Sequence, residues 1–275
     1  MEKKKVMIIW DFDGPIGQIN ATYPYNFNYT NFIKEQENVL EILDILDEYK
    51  IKTCFAITGF SAEDGLSPYS FQDLILEIHN RGHEIASHSW KHEWLPIFKK
   101  NQIVKSLNRS KSILEKTINS RQEVIGFVPP HNRPMSWYKR AAISFGDRGI
   151  FPFFKMADNE SIVKILRENR FKWYRVSYKN LLMKLGLQTR NITGRAVLYK
   201  EVLILENHYT GFDNTVVNHI LNSNHETYTI SAHPLMFHFK DKNENKDNFL
   251  HFLNVLKNSK QFLDFVRPID LVNRL

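Results

Sequence analysis

Three stretches of this 275-residue chain concentrate side chains able to carry out a hydrolysis. His88-Ser89-Trp90-Lys91-His92 sets two imidazoles four residues apart. On a helical turn, positions i and i+4 share a face and can hold one ion between them. Trp10-Asp11-Phe12-Asp13-Gly14-Pro15 sets two carboxylates on the same side of an extended chain, because side chains alternate with period two. Like charges that close are costly unless a cation lies between them or one is protonated. One aspartate as ligand and the other as base gives both a role. Two imidazoles and one carboxylate leave a fourth position for water, as catalytic zinc sites do. His233 ends the apolar run Tyr228-Thr229-Ile230-Ser231-Ala232 ahead of Pro234. Opposite a metal-activated water it is placed to protonate a leaving amine.

Composition narrows the remaining choices. The single cysteine, Cys54, excludes an internal disulfide, a thiolate zinc cage and CxxC redox chemistry, so a metal here needs imidazole and carboxylate ligands. The net charge of +7 is spread over dispersed lysines, with no basic helix and no Arg/Lys cluster interleaved with aromatics. That pattern is a solvated basic surface and argues against a nucleic-acid partner. No stretch approaches the roughly 20 apolar residues of a membrane span. The basic start Met1-Glu2-Lys3-Lys4-Lys5 lacks the apolar core and cleavage site of a signal peptide, so the sequence reads as cytoplasmic.

Elements that alternate in type must position these residues. Strands are expected at 5–10, 51–58, 84–87, 124–128, 149–153, 172–177, 202–206, 227–232 and 265–266. Helices are expected at 29–49, 71–81, 103–118, 137–144 and 246–258, the second closed by Gly82. Such alternation without a linker implies one α/β domain with a parallel sheet, either a barrel or an open doubly wound sheet. Chemistry in these folds gathers at the carboxyl ends of the strands. Asp11, Asp13, His88, His92, His131, His208 and His233 all follow strand ends.

The order of motifs resembles the polysaccharide deacetylases of carbohydrate esterase family 4, the nodulation-type deacetylase domain. It runs Asp11-Phe12-Asp13-Gly14-Pro15, then Gly82-His83-Glu84-Ile85-Ala86-Ser87-His88-Ser89-Trp90-Lys91-His92. Phe127-Val128-Pro129-Pro130-His131 and Ile230-Ser231-Ala232-His233 follow. Thr53-Cys54-Phe55-Ala56 and Phe265-Val266-Arg267-Pro268 resemble the family's second and closing strands. The resemblance implies a distorted (β/α) barrel as a single catalytic domain over residues 5–272. It implies one divalent ion on Asp13, His88 and His92, with zinc as the default and cobalt, manganese, nickel or iron also suited to such ligands. Asp11 is then the general base and His233 the general acid.

The implied reaction removes an N-acetyl group from an acetylated sugar or glycan precursor in surface-polysaccharide metabolism. The metal acidifies a water, Asp11 takes its proton, and the hydroxide attacks the acetyl carbonyl. A backbone N–H near Pro130-His131 helps hold the oxyanion, and His233 protonates the departing amine. Pro130, His131, Asn132, Arg133, Tyr23, Tyr25, His208 and Tyr209 are candidate substrate contacts, because aromatic and amide groups suit sugar rings and hydroxyls. Val128 stands where the family carries an arginine that orients the base, and Arg133 or Arg148 is the candidate replacement. Two other readings stand beside this one: hydrolysis of a non-sugar or cyclic amide on the same scaffold, and a carbohydrate-binding protein that has lost turnover.

Overall fold

The computed structural model describes residues 3–21, 25–95, 98–121, 123–132, 142–144, 151–153, 159–176, 196–207, 209–259 and 263–274. The N-terminal half runs β1 (Lys4–Phe12), α1 (Gly14–Ala21), α2 (Tyr29–Glu48), β2 (Cys54–Ile57), α3 (Gln72–Asn80), β3 (Glu84–Ser87), α4 (Lys100–Thr117) and β4 (Gly126–Phe127). Beyond it lie β5 (Ala142–Ser144), β6 (Phe151–Phe153), α5 (Asn159–Glu168), β7 (Trp173–Val176), β8 (Val197–Tyr199), β9 (Val202–Glu206) and β10 (Tyr209–Thr210). The helix Asn214–Asn222, β11 (Thr227–Ala232), the helix Lys246–Lys257, β12 (Leu263–Phe265) and the helix Pro268–Val272 complete the chain.

Ten strands form one curled sheet in the order β10-β11-β1-β2-β3-β4-β7-β9-β8, with β12 beside β1. All pairings are parallel except β8 with β9. β1 shares one edge between two partners: β12 pairs Lys4 to Val6 and β2 pairs Ile9 to Phe12. Helices pack outside, so the sheet is a distorted (β/α) half-barrel in a single domain. No helix among the described residues is long and apolar enough to cross a membrane.

The period-two alternation divides the strand side chains between two faces. Outward residues such as Val6, Ile8, Trp10, Phe55, Ile57, Tyr228 and Ile230 form the main core with the buried stripes of α2, α3 and the helix Lys246–Lys257. Trp10 is its centre, 5.2 to 6.4 Å from the rings of Phe55, Phe212, Phe237 and Phe249. Inward residues Met7, Ile9, Cys54, Ala56, Ala86, Trp173, Leu203 and Leu205 fill the barrel, with Val266 and Leu271 beside them. Trp173 fits only because position 126 is glycine, since a Cβ there would lie 2.1 Å from the ring. Glu84 accepts the Trp173 Nε1–H at 2.7 Å and the Ile269 backbone N–H at 2.8 Å, which fastens the floor.

Two expectations change. Residues 142–144, expected within a helix, form a strand that pairs antiparallel with Phe151–Phe153. Gly146-Asp147 follows the first run in the sequence, a turn-favouring pair that opposes continuation of a helix. Residues 18–27, expected as a segment rich in aromatic and amide groups after the first strand end, open inside a helix, since α1 covers Gly14–Ala21.

Candidate active site

Continuing the inward alternation past the apolar layer brings polar groups to the carboxyl ends of the strands. Asp11 follows Met7 and Ile9 on β1, His88 follows Ala86 beyond β3, and Arg175 follows Trp173 on β7. His233 follows Thr229 and Ser231 beyond β11. The chain thus assembles one polar cluster from four strands without departing from strand geometry.

Asp13, His88 and His92 each aim one ligand atom at a common point, all within 4.8 Å of one another. Asp13 Oδ1 lies 3.2 Å from His88 Nε2 and 3.4 Å from His92 Nε2, and although buried it has no hydrogen-bond partner among the described residues. His88 Nδ1 donates to the Val128 carbonyl at 2.8 Å, which fixes the tautomer and leaves Nε2 as a lone-pair donor. Position 128 therefore orients His88 through its backbone. The residues fit a divalent ion: two imidazoles and a carboxylate with an oxygen in want of a partner. The His88–His92 loop is held outside the cluster by Ser106, whose Oγ accepts the Trp90 N–H and donates to Glu93. Arg109 lies 3.9 Å over the Trp90 ring.

Beside this triad lies a buried ion pair. Arg175 Nη1 donates to Asp11 Oδ1 at 2.7 Å and Nη2 to Oδ2 at 2.5 Å, with both side chains almost fully buried. Burial pushes the Asp11 carboxyl upward, but Arg175, His88 and His233 outweigh it and hold it below the usual carboxylate value. His233 Nε2 faces Asp11 Oδ2 at 3.8 Å, while its Nδ1 is 2.9 Å from Glu244 Oε2. Burial alone would favour neutral His233. The Glu244 carboxylate, with Asp11 and Asp13, raises it instead to about 10. The cluster therefore pairs an acid kept ionised with an imidazole kept protonated.

Two helices complete the frame. α1 lies directly on Asp13 and His92: a Cβ at Gly17 would come 2.7 Å from Asp13 Cβ and 3.6 Å from His92 Cβ. Asn20 Nδ2 donates to the Lys91 carbonyl at 2.6 Å and ties α1 to the histidine loop. The Thr58 hydroxyl donates to the Asp13 carbonyl at 2.9 Å. From α2, Glu35 Oε2 accepts the Gly14 N–H at 3.1 Å and the Gln18 side-chain amide at 2.7 Å. Burial first, then the nearby Asp13 charge, pushes Glu35 up to about 8.

Among the expected substrate contacts, the structure brings the Pro130–Asn132 turn to the cluster. His131, with φ +59°, places its ring 4.5 Å from His92 and 4.0 Å from Trp94. Tyr25 is exposed on the segment leading into α2. The Tyr209 ring instead packs 5.3 Å from His219, a residue that also meets Tyr228 at the opposite end of β11, so Tyr209 is not gathered with the cluster. The side chain of Asn132, and Tyr23, Arg133, Arg148 and His208, lie outside the described residues. Arg133 and Arg148, the candidate replacements for the arginine missing at Val128, are thus not described; among the described residues Arg175 holds Asp11. Its signal was a lone arginine inside the apolar run Trp173-Tyr174-Arg175-Val176. Glu244 and Glu35 carry no such local mark.

The geometry has counterparts in known proteins. The sequence profile of the polysaccharide deacetylase family matches residues 1–146, just over half of the 275 residues. No protein of curated function matches. A Mycobacterium smegmatis structure provisionally described as a polysaccharide deacetylase superposes with a TM-score of 0.67 at 14% identity, covering 99% of this chain and 90% of that one. The Puue allantoinase superposes at 0.64 and 12% identity, over 98% of this chain and 89% of its own. A family 4 acetyl xylan esterase from Clostridium thermocellum, in complex with a cobalt ion, reaches 0.52 at 17% identity, over 98% and 91%. With its profile matched and its barrel shared, this chain belongs to the polysaccharide deacetylase family.

Proposed function

We propose that the protein is a metal-dependent hydrolase that removes an N-acetyl group from an acetylated sugar or glycan precursor. The observation that carries this reading is the meeting, at one end of the barrel, of the Asp13/His88/His92 triad, Asp11 gripped by Arg175, and His233 oriented by Glu244. Asp13, His88 and His92 hold the ion, with zinc the first choice and cobalt, manganese, nickel or iron alternatives. When bound, such an ion supplies an acidified water and polarises the acetyl carbonyl.

The chain's own residues do the rest. Arg175 fixes both oxygens of Asp11, so its free lone pairs point at one place and accept the proton of the attacking water. Carbon–oxygen bond formation then drives carbon–nitrogen cleavage. His233, oriented through Nδ1 by Glu244, gives its Nε2 proton to the departing nitrogen, leaving a free amine and acetate. The Pro130–Asn132 turn lies where backbone N–H groups can steady the oxyanion, and His131, Asn132 and Tyr25 are the proposed sugar contacts. Arg175 also supplies the guanidinium whose absence at Val128 favoured a binding protein without turnover.

Similarity to an allantoinase supports a second reading, hydrolysis of a cyclic amide by the same groups. The two separate in one assay pair. Zinc-loaded protein should release acetate from N-acetylated amino sugars and leave cyclic ureides closed; ring opening without acetate release would reverse the assignment.

A further inference from the structure

α2 carries two buried polar side chains one helical turn apart, Glu35 and Asn38, on a face otherwise made of Phe32, Val39, Ile42 and Leu43. Polar groups buried in an apolar face are costly unless they are bonded, so their partners show what they are kept for. Asn38 Nδ2 donates to the Pro234 carbonyl at 2.8 Å, directly behind His233. Glu35 Oε2 receives both the Gly14 N–H and the Gln18 amide, while Oε1 is buried with no partner among the described residues. Gly14 follows Asp13 and sits at φ +63°, with space for a Cβ closed by Ser61 Oγ at 2.6 Å. Its peptide includes the Asp13 carbonyl, which Thr58 holds from the other side. Glu35 thus grips the turn that aims Asp13, without itself reaching the ligand cluster.

We propose that Glu35 is a positioning residue for the metal ligand Asp13, acting through the acceptor bond from Gly14 and braced by Gln18. This inference rests on the proposed metal site and deepens it: α2 anchors the ligand turn through Glu35 as it anchors the His233 turn through Asn38. Groups that orient a ligand from behind are worth about 10- to 100-fold in metal affinity. Glu35→Met keeps the bulk and removes the acceptor. Glu35→Gln keeps an oxygen in the same place, able to accept from both donors.

The test is zinc affinity of the full chain, by chelator competition, with the visible spectrum of the cobalt form as a second readout. Glu35→Met should bind zinc about 10- to 100-fold more weakly and shift the cobalt bands, while Glu35→Gln restores both. Asn38→Leu, which loosens the other turn, should lower thermal stability yet bind zinc as the parent does. Parental zinc affinity in Glu35→Met, or a Glu35→Gln variant as weak as Glu35→Met, overturns the inference. If Glu35→Met does not fold, amide exchange decides: Gly14 should be protected in the parent and in Glu35→Gln, and an unprotected amide counts against the bond. His88→Ala separates the two levels. Zinc lost in His88→Ala but unaffected in Glu35→Met leaves the metal site standing without this role for Glu35; zinc retained in His88→Ala removes both.

Discussion

At the scale of single residues, the Asp11–Arg175 pair has the largest consequences. A buried charge whose partner is deleted costs about 3–5 kcal/mol, so Arg175→Met should lower stability by that order in thermal or denaturant unfolding. It should also lower kcat by at least tenfold, since Asp11 then loses both its orientation and the charge that keeps it ionised. Arg175→Lys should rescue little, because an ammonium cannot hold both carboxylate oxygens in one plane. Glu244 gives a prediction with a defined sign. Its carboxylate raises the pKa of His233, and His233 as the proposed general acid must be protonated to act. Glu244→Gln therefore lowers that pKa, and the alkaline limb of the kcat/KM profile should move to lower pH at equal metal loading. An unmoved limb would show that another group sets it. The residues of the triad were legible because they lie in two compact motifs, Asp11 to Asp13 and His88 to His92. Arg175, Glu244 and Glu35 reach the site from other elements, and only tertiary contact reveals their roles.

At the scale of elements, strand alternation explains what could be read in advance. β3, β9 and β11 occur over the residues expected from their apolar content and polar flanks, and β1 runs from Lys4 to Phe12, past the expected 5–10 at both ends. α1 was not legible. Gly14-Pro15-Ile16-Gly17 carries two glycines and a proline, a poor helix by propensity, and tertiary packing on the ligand loop decides it. The helices Asn159–Glu168 and Asn214–Asn222 were likewise missed, short segments whose apolar stripes are completed only by the sheet. Because α1 rests on the proposed ligands through Gly17, a Gly17→Ala substitution must push the helix from Asp13 and His92. Overpacking of this kind costs about 1–3 kcal/mol, so zinc affinity should fall by roughly tenfold, read in the same chelator competition.

At the scale of the whole molecule, the proposed metal site links ion binding to folding stability. Its proposed ligands come from the residue just after β1 and from the loop after β3, and unfolding separates them, so an ion that binds only the native state stabilises it. Zinc at about 100 times its Kd should add roughly 2.7 kcal/mol, visible as a higher Tm that chelator reverses. His88→Ala should show no zinc-dependent change. The central claim is that Asp13, His88 and His92 share one ion at the mouth of the barrel. An anomalous difference map from crystals of the zinc-loaded protein tests it most directly. The account predicts one strong peak bonded to Asp13 Oδ1, His88 Nε2 and His92 Nε2; a map with no peak there, or with the ion on other residues, would contradict it.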